Sequence, residues 1–571
     1  MINFREKANF IWSVADLLRG DYKQADYGKV ILPFTVLRRI DALLAKTKEK
    51  VLKEYPKHKD KSEETADLIL NRITGYKFHN HSNYDFKKLV DDADNIAANF
   101  TAYINGFSPV VQEIMEQFSF HDQLERLDKA DLLYMVTKRF AEMDDFGSID
   151  GMGMGYIFEE LIRKFAEISN ETAGEHFTPR EVIALMVNLL FMDEQDIYEK
   201  GAIRTLYDPT AGTGGMLSAG DMFIKEQNPD ATLRLFGQEI NPESYAICKA
   251  DMLIKGQDPA NIIFGNTLSQ DGLPAEHFNY MLANPPFGVE WKKVEKQVKE
   301  EHSKKGFAGR FGAGLPRIND GSLLFLLHMI AKMQPVKDGG SRIGIVLNGS
   351  PLFTGGAGSG ESDIRKWIIE NDMLEAIIAL PDQLFYNTGI STYVWIVTNH
   401  KAKKRRGKVQ LVNATSFFDK MARSLGNKRN EISPAHIKEI TKLYGAFKEN
   451  EYCKIYANDF FGYSRITVER PSRDAKGKLI KDKNGNLKAD TSLRDYENVP
   501  LQEDIEAYFK REVLPHVPDA WIDESKTKVG YEINFTKYFY QYKPLRSLAD
   551  IRKDILALEQ ETDGLIKEII N

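Results

Sequence analysis

Between residues 203 and 227 a β-rich run, Ile203–Tyr207, passes through Asp208-Pro209-Thr210-Ala211-Gly212-Thr213-Gly214-Gly215 into a helical pattern, Met216–Gln227. Strands that alternate with helices in this way are the mark of a parallel α/β sheet, because parallel neighbours need a crossover. The alternation recurs. Leu233–Gly237, Ile262–Phe264, Tyr280–Ala283, Ile343–Leu347, Ala376–Leu380 and Tyr393–Val397 read as strands, and Glu243–Lys255 and Leu323–Met333 as intervening helices. We therefore expect an α/β fold with a doubly wound sheet of about seven strands. Tyr393–Val397 and Val409–Val412 bracket the basic stretch 401–408 and read as a hairpin. Its lysines and arginines are either a solvated tip or phosphate contacts.

The rest of the chain follows other patterns. At 571 residues it is too long for one ordinary core. Up to about residue 148 the apolar positions keep helical spacing, as in Val36-Leu37-Ile40-Leu43-Leu44 and again over 122–143. The glycine-rich segment 147–155 then reads as a turn or linker before a helix at 156–166. We divide the chain into an amino-terminal helical domain (1–148), an α/β domain (149–435) and a mixed carboxyl-terminal region (436–571). The last contains an Asn-Gly turn signal within 482–487 and shows no internal repeat. It ends in a helix whose Leu548, Ile551, Ile555, Leu558, Leu565 and Ile569 form an apolar stripe, suited to a partner or to its own domain. No run of 18 apolar residues and no secretory h-region occurs, which speaks against a membrane span. Two distant cysteines and eleven histidines without ligand spacing predict neither a disulfide framework nor a metal site. The formal charge of −6 supplies no global basic field, so any contact with a polyanion must be local or shared with a partner.

The chemistry gathers in three places. The glycine turn allows close approach of a ligand to the backbone at the carboxyl edge of the sheet. No lysine follows it, and Asp208 would repel a pyrophosphate but suits an ammonium, which favours a nucleotide bearing an amino acid over ATP or NAD. Glu239 ends the next strand, where an acid can accept both hydroxyls of a ribose. The strand at 278–283 runs directly into Asn284-Pro285-Pro286-Phe287. An exocyclic base amine is a poor nucleophile because its lone pair is delocalised. The Asn284 side-chain oxygen and the Pro285 carbonyl can accept its two hydrogens and draw the nitrogen toward tetrahedral geometry, facing a methyl sulfonium. Proline fixes that carbonyl, and Phe287 can stack on a base flipped out of a duplex.

With these motifs the sequence resembles the amino-methylating DNA methyltransferases, specifically the modification subunits of type I restriction-modification systems. The resemblance extends to Glu175-His176-Phe177-Thr178-Pro179-Arg180, which in that family closes over the methionine part of the cofactor, with Thr178 and Pro179 also capping the next helix. It includes Leu37-Arg38-Arg39-Ile40-Asp41, 321–326, 342–347 and 387–392. It implies a Rossmann-like S-adenosylmethionine-dependent methyltransferase sheet, preceded by an all-helical domain and followed by a mixed tail ending in a helix. Asn284, Pro285, Pro286 and Phe287 would be catalytic. Asp208, Thr210, Gly212, Thr213, Gly214, Gly215, Glu239 and the segment 175–180 would bind S-adenosyl-L-methionine. Asn266 stands where many relatives carry an acid near the cofactor adenine. The implied reaction is methyl transfer to adenine N6 of DNA in a prokaryotic cytoplasm. A separate specificity subunit would choose the site, with two modification subunits per specificity subunit and a restriction/translocase subunit joining. Cytosine N4, protein glutamine or a catalytically silent scaffold are the alternatives. Residues 291–317, rich in lysine and glycine, read as a mobile lid over the base or as a disordered surface loop.

Overall fold

A computed structural model of the chain describes residues 10–143, 146–149, 154, 157, 158, 160–162, 164, 165, 178–192, 194–386, 388–425, 427–540 and 547–570. Residues Met1–Ile533 form one compact unit and Asn534–Asn571 a second. The predicted glycine linker and the helix after it lie partly outside the described residues.

The amino-terminal region is helical, as its periodicity requires. Its central helix α1, Tyr27–Leu44, buries Val30, Ile31, Phe34, Leu37, Ile40 and Leu44 at three- and four-residue steps. Phe34 sits among aromatic rings, edge-on to Phe100 and Phe120 and stacked on Phe140 at 5.3 Å. The adjacent Arg38 and Arg39 are buried, which is costly for a guanidinium unless its donors are used. Arg38 donates to the carbonyls of Phe140 and Met143, and Arg39 to those of Phe146 and Ile149. The paired arginines thus tie the chain beyond residue 140 to α1. A second helix, α2 (Pro109–Gln117), carries Glu113 toward the next region.

The α/β region has helices α3 (Arg180–Phe191), α4 (Gly215–Gln227), α5 (Pro242–Ile254), α6 (Glu295–Lys305), α7 (Ser322–Ala331), α8 (Gly360–Glu370) and α9 (Pro434–Ala446). Its strands are β1 (Ile203–Asp208), β2 (Thr232–Glu239), β3 (Ile262–Phe264), β4 (Tyr280–Ala283), β5 (Arg342–Asn348), β6 (Leu374–Ala379), β7 (Thr392–Thr398), β8 (Lys408–Asn413) and, after the small hairpin β9 (Asp419–Leu425) and β10 (Lys428–Glu431), β11 (Cys453–Ala457). Every predicted strand is present. Among the described residues the sheet has nine strands rather than about seven, in the order β11-β8-β6-β7-β5-β4-β1-β2-β3. It is parallel except that β7 runs against β5 and β6, and β11 against β8. The sheet's core and the helical core meet on α5, whose Ala246, Ile247 and Ala250 pack with the helical cluster while Cys248 and Met252 face the sheet cluster.

Two local expectations need correction. β7 and β8 do not form a hairpin: β6 lies between them and pairs with β8 in parallel, Ile377 opposite Leu411. The basic stretch between them is accordingly not a free tip. Lys401 is buried and donates to Asp372, and Arg405 is buried against Tyr444 and Gln410. Those two cations satisfy internal acceptors, as buried charges must. Residues 291–317 are folded: α6 packs Val298 inward, and Trp291 donates from its indole nitrogen to the Arg317 carbonyl.

Beyond α9 a smaller sheet forms from β12 (Gly462–Glu469), β13 (Asp495–Pro500), β14 (Trp521–Ile522) and β15 (Lys528–Tyr531), all antiparallel to β12. The Asn-Gly turn is present, with Lys481 opposite Leu487 and Gly485 at φ 85°. The structure also reveals an eight-residue repeat that the sequence reading missed: 473–480 and 481–488 fold alike. The second unit contains α10, Leu548–Ile570, matching the predicted terminal helix.

Candidate active site

Parallel strands of a doubly wound sheet release their βα loops on one edge, and the predicted motifs sit in three of those loops. β1 ends in Asp208 and turns through Gly212 (φ 53°) and Gly214 (φ 83°) into α4. Both glycines occupy the left-handed region, where a side chain is strained. A Cβ on Gly214 would also meet the Cys248 sulfur of α5 at 2.9 Å. β2 ends in Glu239 and β4 in Ala283, immediately before Asn284. A cavity of about 1160 Å³ joins these ends, with Asp208, Thr210, Gly212, Glu239, Asn266 and Asn284 among its walls.

Each polar group in the cavity has a definable state. Asp208 is almost fully buried, and burial, with Glu239 nearby, pushes its carboxyl up to about 7 against the opposing hydrogen bonds from Thr210. The Thr210 amide and hydroxyl both donate to Asp208 Oδ1, at 2.9 and 3.3 Å. Near pH 7 such a carboxyl is about half ionised, and a cation beside it would complete the ionisation. Glu239 spans the turn: Oε2 accepts the Gly212 amide at 2.8 Å, and Oε1 accepts those of Ile240 and Asn241 at 2.9 and 2.7 Å. A carboxylate has about four acceptor positions, so these three amides leave one, on Oε2, for a ribose hydroxyl. Asn266 uses its side-chain oxygen to cap its own turn, accepting from Leu268 and Ser269.

At the other end of the cavity, Asn284 Nδ2 donates to Thr178 Oγ1 at 3.0 Å. The Asn284 side-chain oxygen is buried and has no hydrogen-bond partner among the described residues. A buried acceptor without a donor is costly, and in this cavity it is available to an incoming N–H. Pro285 is buried and Phe287 half-buried, its ring edge-on to Phe385 at 5.5 Å. The family named N-6 DNA Methylase matches residues 149–461, more than half of the chain.

The chain belongs to the N-6 DNA methylase family. A second family description, HsdM N-terminal domain, matches residues 7–140 of this methylase. Among curated relatives, the type I restriction enzyme MjaIX methylase subunit of Methanocaldococcus jannaschii is 26% identical over 470 residues, covering 78% of each chain. The MjaVII methylase subunit of the same organism is 27% identical, over 79% of this chain and 73% of its own. Among solved structures, the type I methyltransferase subunit from Streptococcus thermophilus superposes with TM-score 0.62 at 24% identity, over 80% of this chain and 97% of that one. A modification subunit from Vibrio vulnificus gives 0.55 at 15%, over 85% and 96%. Those structures share the fold.

Of the predicted site residues, Thr178, Arg180, Asp208, Thr210, Gly212, Thr213, Gly215, Glu239, Asn266 and Asn284 through Phe287 all line the one cavity of this methylase. Glu175, His176 and Phe177 lie outside the described residues. One detail changes: Thr178 does not cap α3. Pro179 is the N-cap, its carbonyl accepting from Val182 and Ile183, and the Thr178 hydroxyl instead accepts from Asn284. The sequence reading missed a brace beneath the cavity. Thr267 Oγ1 donates to the Pro209 carbonyl at 2.6 Å, while Arg310 donates to the carbonyls of Thr267 and Leu268 and is held by Glu301. Arg310 also donates to His328 Nδ1 at 3.2 Å. Arginine cannot accept, so the proton of the neutral imidazole sits on Nε2 and is donated to Tyr207 Oη at 3.0 Å. Burial and Arg310 together hold the His328 ring neutral, its pKa lowered to about 3.

Proposed function

We propose that this chain is the modification subunit of a type I restriction-modification system, transferring methyl from S-adenosylmethionine to adenine N6 of DNA at sites chosen by a separate specificity subunit. The observation that carries the reading is the buried, unpartnered oxygen of Asn284 at the end of β4. An acceptor held this way answers the N–H of an exocyclic amine, and its geometry is fixed in advance by the Asn284–Thr178 bond. The residues at the other end of the cavity fit the cofactor. Asp208 provides a buried carboxyl for its ammonium, and Glu239, braced on the glycine turn, provides an acceptor for a ribose hydroxyl. S-adenosylmethionine, when bound, supplies an electrophilic methyl on sulfonium.

The chain's own contribution is positional. Asn284 Oδ1 and the Pro285 carbonyl accept the amine hydrogens and turn the nitrogen lone pair toward the cofactor side of the cavity. Phe287, supported edge-on by Phe385, offers a ring for the flipped base. Proton release follows methyl transfer, so no strong base is required in the wall.

The partners and the division at about 148 and 435 belong to the same proposal. Leu548, Ile555 and Leu558 of α10 are 85%, 59% and 62% exposed, which supports assigning that helix to partner binding within an assembly with the specificity and restriction/translocase subunits. The described residues contain no helix long and apolar enough to cross a membrane, and a prokaryotic cytoplasmic location accords with DNA as substrate.

Methyl transfer from labelled S-adenosylmethionine tests the reading, comparing the chain alone, with its specificity subunit, and as Asn284→Ala with that subunit. N6-methyladenine should form only with the unsubstituted pair. Transfer by the chain alone would overturn delegated recognition, and cofactor binding without transfer in any combination would favour the silent scaffold.

A further inference from the structure

The methyl-transfer cavity leaves unused a knob formed by residues 471–489 between β12 and β13. Its two repeats are Asp474-Ala475-Lys476-Gly477-Lys478-Leu479 and Asp482-Lys483-Asn484-Gly485-Asn486-Leu487. Each repeat makes the same turn. The aspartate Oδ1 accepts two backbone amides, from Lys476 and Lys478 in the first and from Asn484 and Asn486 in the second, at 2.8–2.9 Å. The glycine that follows has φ 78° or 85°. The positions eight residues apart close into a ring of backbone bonds: Ile480 donates to Ser472, Lys488 to Ile480 and Ser472 to Lys488, at 2.7–2.9 Å. With nearly every residue of the knob exposed, this ring rather than a core gives it a fixed shape.

The same bonds sort the charges. Within 471–489 there are six cations and two carboxylates, a local charge of +4 in a chain of −6. The carboxylates of Asp474 and Asp482 are committed to the turns. Lys476, Lys478, Lys481, Lys483 and Lys488 are exposed, and their ammonium groups have no hydrogen bond or ion pair among the described residues. The sheet that bears the knob is anchored to the carboxyl edge of the large sheet, where the cavity opens. Ile533 donates to the carbonyl of Leu352 just beyond β5, Tyr463 Oη accepts the Ala357 amide, and Arg365 donates to the Tyr531 carbonyl.

We infer that this knob is a second DNA contact, gripping the duplex sugar-phosphate backbone away from the adenine being methylated. Long ammonium side chains without fixed partners, on a rigid frame, suit a diffuse row of phosphates; they lack the planar fork that a fixed set of carboxylates on a protein would select. Because the remainder of the chain carries net negative charge, an approaching duplex is drawn to this lobe, which adds affinity without reading sequence.

The inference rests on the DNA-methylating role proposed above, and equilibrium binding separates the two. Anisotropy of a fluorescein-labelled 30-base-pair duplex is measured with the full chain in complex with its specificity subunit, from about 50 to 200 mM salt. The comparison is the unsubstituted chain, Lys476→Ala/Lys478→Ala/Lys483→Ala and the corresponding triple arginine variant. Three lost phosphate contacts lower the log–log salt slope by about 2.7, so the alanine variant should lose about 40-fold less affinity across that range and bind more weakly at its low end. The arginine variant should keep the full slope. Unchanged affinity and slope in the alanine variant overturn the knob alone. Unchanged DNA binding with loss of the partner subunit also overturns it, and reassigns the lysines to a protein contact. No duplex binding by the unsubstituted complex overturns both this inference and the function on which it rests.

Discussion

Replacing Asp208 with asparagine separates what this carboxyl does for the fold from what it does for the site. The side chain is 2% exposed, and burial lifts its carboxyl from an ordinary 3.8 to about 7. Between those two values the folded chain holds a proton that the unfolded chain has released, so stability falls as pH rises from about 4 to about 7, then stays level. The full cost is roughly 4 kcal/mol. Asparagine keeps the oxygen that accepts the Thr210 amide and removes the titration. Asp208→Asn should therefore be nearly as stable as the unsubstituted chain at pH 4 and more stable by up to about 4 kcal/mol at pH 8. That corresponds to roughly 4 °C if residues up to 533 melt together. The assay is a melting series from pH 5 to 8.5, with and without S-adenosylmethionine. The cofactor should raise the melting temperature of the unsubstituted chain and leave that of the variant unmoved. By titration calorimetry the unsubstituted chain should bind about tenfold more weakly for each pH unit below 7, since the carboxyl must ionise to meet the ammonium. A stability gap of the same size at pH 5 and pH 8, or a variant that still binds cofactor fully, would refute the reasoning.

The brace beneath the cavity makes a second prediction. Arg310→Ala strands the largely buried Glu301 carboxylate and should cost about 3–5 kcal/mol, read as a lower melting temperature. Arg310→Lys should recover part of that stability but not the cofactor KM, because lysine cannot span the Thr267 and Leu268 carbonyls together. Gly214→Ala forces a side chain into φ 83° against Cys248 and should weaken cofactor binding at least tenfold; adding Cys248→Ala should restore only the steric part. Asn284→Ala should lower kcat by about 100-fold or more, with cofactor affinity within twofold of the unsubstituted chain, measured by labelled methyl transfer and calorimetry.

The parts of the chain legible in the sequence were those governed by nearby residues. The strands, the glycine turn and the Asn284 loop declare themselves over fewer than ten residues each, and the doubly wound sheet places such turns on one edge whatever the order of its strands. Strand order itself was not legible past β5. The pairing of β8 with β6 depends on Arg405, Glu375 and Tyr444 meeting in the interior, and those residues are 30 to 69 positions apart. In the sequence, Arg405 is one more basic residue in a row of them. Arg310 was hidden for the same reason: its partners Thr267 and His328 lie 43 and 18 positions away, and nothing in the run of lysines and glycines distinguishes it.

The knob is a different kind of omission, because its period of eight is written in the sequence at Asp474, Asp482 and Asp490. Two copies and a fragment are too few for a repeat to stand out by similarity alone. What makes them a repeat is closure: Ser472, Ile480 and Lys488 bond to one another, so each unit supplies the backbone acceptor that the next requires. Asp490 shows where the pattern stops. It accepts from the Ser492 amide and hydroxyl, as the first two aspartates accept from the residue two ahead, but no glycine follows to continue the turn and the chain leaves toward β13. A third full unit would have no free edge to pair with, since the ring already uses the donor of each of its three members. The length of the knob is thus set by its hydrogen bonds.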